Sequence, residues 1–146
     1  MRDGISTIQK VRGAAQTLSG TTPNNSAAID VRGFGKVSIY LETGAITDAG
    51  TAAGFAMKLQ DSDTLVGASF TDVAAAQVLN GPTVTVTSDT DDDVTAGVVG
   101  YLGSKRYVRA VFTGTTGTNA VVSADAILGN PHRAPCAPIG ATVATT

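Results

Sequence analysis

Phe55-Ala-Met-Lys-Leu-Gln60 is the stretch that decides the fold. Large apolar side chains occupy every second position, which is the period expected of a strand that buries one face. Val37–Leu41 alternates in the same way, and Thr83–Thr87 is a strict alternation of Thr and Val. These stretches predict β-strands.

Similar apolar runs recur along the chain between clusters of Gly, Asn, Asp, Ser and Pro, which are typical of turns. They are Ile5–Val11, Ala27–Val31, Phe70–Val73, Val98–Leu102, Tyr107–Phe112 and Ala120–Leu128. The one stretch with helical character, the Ala-rich Val73–Leu79, is too short to form more than a turn. A total of roughly eight to ten strands predicts an all-β fold, a β-sandwich or a jelly-roll-like single domain with extended termini.

The composition agrees with one domain that has a thin core. At 146 residues the chain is long enough to bury a substantial apolar interior. Its apolar residues, 42% of the chain, are mainly Ala and Val, with four Phe, three Tyr and no Trp. Small and β-branched side chains suit a sandwich better than a helical bundle.

The chain changes character after Gly129, because three prolines follow within a short distance. Proline removes a backbone donor and favours extended, non-helical conformations. We therefore divide the chain into a sandwich domain, residues 1–129, and a Pro-rich C-terminal arm or tail, residues 130–146, and expect no central strand in the tail. Two alternatives stay open for the tail: a disordered terminus, or an arm that orders on a neighbouring subunit. Met1–Gly4 could form a similar arm.

Charged residues are sparse, at 15% of the chain, and unevenly distributed. The N-terminal segment is basic through Arg2, Lys10, Arg12, Arg32 and Lys36. From Glu42 to Asp93, in contrast, Lys58 is the one base among many acids. Complementary patches of this kind could steer one subunit onto the next, and two solvated faces of opposite sign are the alternative. The chain lacks the dense basic stripe with stacked aromatics that nucleic-acid binding requires, so we expect no nucleic-acid partner.

The side chains available for catalysis are few. His132 is the one histidine and Cys136 the one cysteine, and both lie in the Pro-rich tail, where no rigid group would orient a Cys/His pair. A single cysteine also excludes an intrachain disulfide and a thiolate metal site. The sequence predicts neither an enzyme nor a bound cofactor.

Carboxylates are concentrated in the pair Asp61 and Asp63 and in the run Asp89–Asp93. Neighbouring acids in a polar loop do not provide the two carboxylates across a cleft that glycoside hydrolysis needs. An irregular calcium site in the run is an alternative, although the glycine and terminal Glu of an EF-hand are missing. We interpret the run as a solvated loop. Gly33-Phe-Gly35 lacks the rest of a phosphate-binding motif and predicts a turn before the next strand.

Two arginines mark the strand predicted at Tyr107–Phe112. We expect Arg106 and Arg109 to share the sheet face opposite Tyr107, where they could clamp acids of a neighbouring subunit. A solvated sheet face is the alternative.

Membrane insertion and secretion have no support in the sequence. No apolar run approaches the roughly 20 residues of a membrane span. The N-terminus lacks the apolar core of a secretion signal. We expect a protein made in the cytosol, without a membrane partner.

Four stretches go beyond a general β pattern. They are Lys58-Leu-Gln-Asp-Ser-Asp63, Ser69-Phe-Thr-Asp-Val73, Gly100-Tyr-Leu-Gly-Ser-Lys-Arg-Tyr-Val-Arg109 and Ala126-Ile-Leu-Gly-Asn-Pro-His-Arg133. They resemble a group of small structural proteins of tailed bacteriophages and prophages that are encoded close to the major capsid protein. The motifs are short and structural, and the group has no catalytic residues to carry over.

The resemblance implies a head decoration or cement protein, a β-sandwich that docks on the outer capsid lattice, often as a trimer. The expected partners are then the major capsid protein and other copies of the chain. The expected location is the exterior of the virion capsid, after synthesis in the host cytoplasm. The candidate contacts with the capsid or between subunits are Arg2, Lys10, Arg12, Arg106, Arg109, His132, Arg133 and Pro135.

Two other functions remain alternatives. A tail-tube or head-tail connector protein would share the all-β composition but would assemble into rings or stacks. A carbohydrate-binding adhesion module would need exposed aromatic platforms, which a chain without Trp and with few Tyr supplies poorly.

Overall fold

The alternating stretches form strands in the computed structural model, which describes residues 7–133. The strands, in chain order, are β1 (Ile8–Val11), β2 (Gln16–Ser19), β3 (Asn24–Asn25), β4 (Ile29–Asp30), β5 (Phe34–Asp48), β6 (Phe55–Ser62), β7 (Thr71–Asp72), β8 (Val78–Leu79), β9 (Thr83–Val86), β10 (Thr95–Tyr101), β11 (Tyr107–Thr113) and β12 (Asn119–Pro131). Short 3₁₀ turns lie at Gly67–Ser69 and Ala75–Gln77.

The strands form two antiparallel sheets that pack face to face as a β-sandwich. The first sheet has the order β1-β12-β5-β10-β8, and β2 also pairs with β12. The second has the order β3-β11-β6-β7, with β4 on β11 and β9 on β6. The prediction of an all-β sandwich is confirmed.

The core lies between the sheets and follows the period of two. In β6, Phe55, Met57 and Leu59 point inward and are almost fully buried. Phe112 of β11 lies in the same cluster, with the inward Val, Leu, Ile and Ala side chains of β5, β10 and β12. Small residues dominate because the two long strands β5 and β12 contribute mainly Val, Ile and Ala to this face.

One strand is much longer than the sequence predicts. Val37–Leu41 is only the middle of β5, which runs for 15 residues. It continues through Gly44 because β12 pairs with it almost throughout, and Gly44 lets the Val121 side chain approach closely: a Cβ at this glycine would lie 3.2 Å from that side chain. Such long-range pairing leaves no signal in the local alternation.

Shorter elements also differ from the predictions. Strands β2, β3 and β8 were not predicted, because two to four residues at a sheet edge carry too little pattern. The single turn expected within Val73–Leu79 is confirmed as the 3₁₀ turn. Gly33 forms the expected turn, with φ +91°, immediately before β5. At the other end of the chain β12 includes Asn130 and Pro131, so regular pairing continues two residues beyond the expected start of the tail.

Candidate functional site

Three chain segments meet at the end of the sandwich where β5 begins and β12 ends. Pro131 pairs with Phe34, and the N–H of His132 donates to the carbonyl of Gly33 at 2.8 Å. The N–H of Val31 donates to the carbonyl of Arg106 at 2.9 Å, which holds the loop between β10 and β11 against the same turn. We call this region, residues 30–36, 102–106 and 131–133, the basic end.

The basic end contains a cleft of about 360 Å³ whose lining includes Arg32, Lys105, Arg106 and His132. Arg106 and Lys105 are paired within the chain. Arg106 donates from Nε and Nη2 to one oxygen of Asp30 at 3.1 and 2.8 Å, and Lys105 Nζ lies 2.9 Å from Asp63. The hydrogen bond from Arg106 lowers the pKa of Asp30, and the hydrogen bond from Lys105 lowers the pKa of Asp63.

Arg32 is the cation of the cleft with the greatest freedom to bind a partner. Its side chain is 69% exposed, and its guanidinium reaches Asp30 only at 4.0 Å. The backbone N–H of Arg32 donates to the other oxygen of Asp30 at 3.0 Å. This bond fixes the turn while the side chain remains in solvent. A partner carboxylate could therefore bind Arg32 without displacing a tight internal pair.

A buried polar contact supports the loop between β10 and β11. The hydroxyl of Tyr101 donates to Oδ2 of Asp61 at 2.9 Å and accepts the backbone N–H of Lys105 at 3.0 Å. Burial, and then the Asp61 hydrogen bond, raise the pKa of the Tyr101 phenol well above its ordinary value. Gly103 lies so close to the Tyr101 ring that a Cβ would collide with it. The loop is thereby held in a fixed position below the cleft.

An apolar groove of about 390 Å³ adjoins the basic end on the outer face of the first sheet. Gly100 and Ser38 are paired neighbours on this face, and Leu79 pairs with Gly100 on the other side. Leu79 and Leu102 border the groove and are 55% and 57% exposed. Because Gly100 has no side chain, the leucines border a depression instead of a flat surface.

The opposite end of the sandwich has the opposite charge. Segments 44–55 and 86–94 contain aspartates, and neither these two segments nor segment 113–119, all within the described part of the chain, contains a lysine or arginine. Asp92 accepts the N–H of Ile46 at 2.6 Å, and Asp89 accepts the N–H of Ala49 at 2.7 Å. These carboxylates accept backbone N–H groups at and just after the end of β5, where β10 no longer pairs with that strand. We call this region the acidic end.

The acidic run has a structural role along β5. Residues 7–133 contain no cluster of three or more His, Cys, Asp or Glu side chains that could hold a metal ion. Thr43 adds to the structural role of the run: its hydroxyl donates to the carbonyl of Asp91 at 2.6 Å and accepts the N–H of Val94 at 3.2 Å. The loop is solvated, as the sequence predicts, because Asp89, Asp92 and Asp93 are exposed, and it is also hydrogen-bonded along β5.

The candidate contact residues lie in three places. Arg106, His132 and Arg133 are at the basic end. Lys10 and Arg12 lie at and just after β1, where Lys10 Nζ is 2.9 Å from Asp125. Burial alone would raise the pKa of Asp125, but hydrogen bonds from Lys10 and from the N–H of Gly13 outweigh it and lower that pKa. The other two candidates, Arg2 and Pro135, and also Cys136, lie outside the described residues.

Arg109 is on the outer face of the second sheet and is occupied within the chain. It donates twice to the side-chain oxygen of Gln60, at 3.1 and 2.7 Å, and lies over the Phe70 ring at 4.3 Å. The expectation that the two arginines lie opposite Tyr107 is wrong. Arg109 is two residues from Tyr107 and so has the same facing, and the Arg106 guanidinium lies over the Tyr107 ring at 4.7 Å.

Several residues that shape the site were not candidates from the sequence. Arg32 and Lys105 carried no pattern beyond their charge. Leu79 was expected in the short turn of Val73–Leu79, and Leu102 at the end of the strand predicted at Val98–Leu102. Their exposure depends on the short edge strand β8 and on the loop after β10, which only the assembled sheet reveals. Gly103 beside Tyr101 was the one local hint of a tight loop.

Comparison with known proteins does not identify the chain. No protein-family model matches it, and no curated protein matches its sequence. Within residues 7–133, no helix has the length and apolar character needed to cross a bilayer.

Proposed function

We propose that this protein is a virion structural protein of the head decoration or cement type, which binds the outer capsid lattice through its basic end and stabilises it. The major capsid protein and further copies of the chain are its partners, with a trimer as the favoured assembly. Its location is the capsid exterior, and its role is non-enzymatic.

The observation that carries the proposal is the combination at the basic end of an exposed cation, a cleft and an apolar groove on a rigid support. Arg32 offers a largely exposed guanidinium to the capsid, while Leu79 and Leu102 in the adjoining groove offer apolar area to a further copy of the chain. Interfaces of stable complexes commonly combine apolar anchors with arginine and a polar rim. Small contacts of this kind hold a coat firmly when many copies bind one shell.

The stretches that resemble phage structural proteins converge on the same region. Tyr101 of one stretch bonds Asp61 of another, and Lys105 bonds Asp63. Asp72, from a third, accepts from Lys58 at 2.6 Å and Gln60 at 2.8 Å, and the hydrogen bond from Lys58 lowers its pKa. The fourth stretch ends at the basic end. The motifs therefore build the support of the proposed docking surface, which fits a shared structural role.

A tail-tube or connector protein is the second candidate, and the charge difference between the two ends favours it. A basic end on one copy facing an acidic end on the next would give head-to-tail contacts, which close into rings or continue as stacks. The carbohydrate-binding alternative has less support. Every Phe and Tyr is buried or half-buried, so an aromatic platform for sugars is not exposed.

The test is to mix the purified protein with capsid shells that lack it and to pellet the shells. Co-pelleting that saturates at a fixed number of copies per shell is the expected result. No co-pelleting, with rings or tubes formed by the protein alone, would replace the proposal with the tail or connector function.

Two charge reversals locate the contact. Arg32→Glu is expected to weaken co-pelleting about tenfold or more, since it repels the acids that Arg32 would bind. Arg12→Glu is the matched control, because Arg12 is also exposed but lies after β1, away from the cleft. Equal loss with both variants would indicate non-specific attraction, and loss with Arg12→Glu alone would move the contact to the β1 side.

A further inference from the structure

We propose that the apolar groove of one copy binds residues 134–146 of a second copy, so that exchanged C-terminal arms hold the oligomer together. This inference goes beyond capsid binding, and it can be tested on the protein alone. Failure of the arm contact and failure of shell binding are therefore separate results.

The groove has the chemistry of a site for an uncharged, apolar segment. Its two leucines are more than half exposed, and the backbone of Gly100 and Gly35 forms part of its surface. Positions without a side chain allow another backbone to approach closely. Among the described residues that line the groove, Lys36 alone is charged, and its ammonium is on a long, flexible stem.

Residues 134–146 fit this groove in composition. The sequence Ala-Pro-Cys-Ala-Pro-Ile-Gly-Ala-Thr-Val-Ala-Thr-Thr has no charged side chain and carries two larger aliphatic residues, Ile139 and Val143. Burying exposed leucines against such residues removes apolar area from water on both sides.

The direction of β12 indicates that the groove and the arm belong to different copies. As β12 advances from Ile127 to Pro131, its partners in β5 run backward from Ser38 to Phe34. The chain therefore passes the groove, which lies at residues 35–38, and leaves the sheet beyond it. An arm that continues in this direction moves away from its own groove.

A disulfide trap distinguishes the two routes. In a Cys136→Ser background, Ile139→Cys is combined with Lys36→Cys, which lies at the groove and is exposed. Oxidation is expected to give a covalently linked product of two or more chains. A disulfide that forms only within single chains would overturn the exchange between copies. The absence of any disulfide would overturn binding of the arm in the groove.

Complementation gives an independent test by light scattering or sedimentation. The double variant Leu79→Ser/Leu102→Ser is expected to weaken self-association about a hundredfold, and so is a chain that ends after Arg133. When the two variants are mixed, the truncated chain supplies an intact groove and the double variant supplies an intact arm. We therefore expect the two variants to associate with each other.

The control is Leu65→Ser, because Leu65 is 64% exposed but does not line the groove. It should associate like the unmodified chain. An unmodified chain that is monomeric at high concentration, or groove variants that associate normally, would overturn the proposal.

Discussion

The two ends of the sandwich use charge in different ways. At the acidic end, Asp92 accepts the N–H of Ile46 in β5 and Asp89 accepts the N–H of Ala49 just after it, so these carboxylates substitute for a missing neighbouring strand. At the basic end, the tight pairs join side chain to side chain, and Arg32 remains largely in solvent. The aspartates of the acidic end thus stabilise the fold, whereas Arg32 at the basic end is available to a partner.

Tyr101→Phe tests the support of the basic end and is expected to have the largest effect on stability. Removing the hydroxyl leaves the 6% exposed Asp61 without its buried donor and the N–H of Lys105 without its acceptor. We expect a loss of about 3 kcal/mol in the free energy of unfolding, measured by urea denaturation. Asp61→Asn keeps an acceptor for Tyr101 and should cost less. Equal stability of Tyr101→Phe and the unmodified protein would contradict this account.

The raised pKa of Tyr101 also predicts a dependence on alkaline pH. Below the ordinary phenol pKa, about 10, both the folded and the unfolded chain keep the proton. Above it, the unfolded chain releases the proton while folded Tyr101 retains it, so stability falls as pH rises. Denaturation curves across this range should show the fall. The decline should be smaller in Tyr101→Phe, and an identical decline in both proteins would assign it to other groups.

Asp92→Ala tests the acidic end, where we expect a smaller effect. The substitution leaves the N–H of Ile46 without the carboxylate that accepts it, at a cost of about 1–2 kcal/mol. Asp92→Asn retains an acceptor oxygen and should recover most of the loss. Asp91→Ala is the matched control, because Asp91 contributes its backbone carbonyl, which the substitution preserves. A similar loss from Asp91→Ala would show that net charge matters more than the bond to β5.

Acidification should have the smallest effect on the folded protein. The pKa values of Asp30, Asp63 and Asp72 are lowered by Arg106, Lys105 and Lys58, so folding is favoured above the ordinary Asp pKa of 3.8 and loses this contribution as pH falls below it. The pairs are exposed, so each contributes little. Asp30→Asn should flatten the acid limb of a stability–pH curve slightly. A steep loss of stability above pH 5 would contradict these assignments.

The sequence predicts the fold better than the site, for a physical reason. Strict alternation in Phe55–Gln60 specifies both a strand and its buried face, because strand geometry has a period of two. The full length of β5 depends on β12 and on the carboxylates of the acidic end, which are distant in sequence. Local pattern therefore finds the strand but not its ends.

The docking surface depends on contacts between distant parts of the chain even more than the strand boundaries do. Leu79 and Leu102 have the composition of core residues and are exposed because β8 pairs over only two residues at the sheet edge. Arg106 was recognised by type, but its partner Asp30 comes from a strand far away in the chain. The distribution of charge in the sequence indicated that two regions differ in sign. The structure shows that carboxylates of the acidic region are hydrogen-bonded to the backbone.

The measurement that tests the central claim most directly is a cryo-electron microscopy map of capsid shells decorated with this protein. We predict regular density at fixed lattice positions, with Arg32 and the cleft of the basic end facing the shell and the acidic end facing outward. Density in the reverse orientation, or shells without bound protein, would contradict the claim that the basic end is the docking surface.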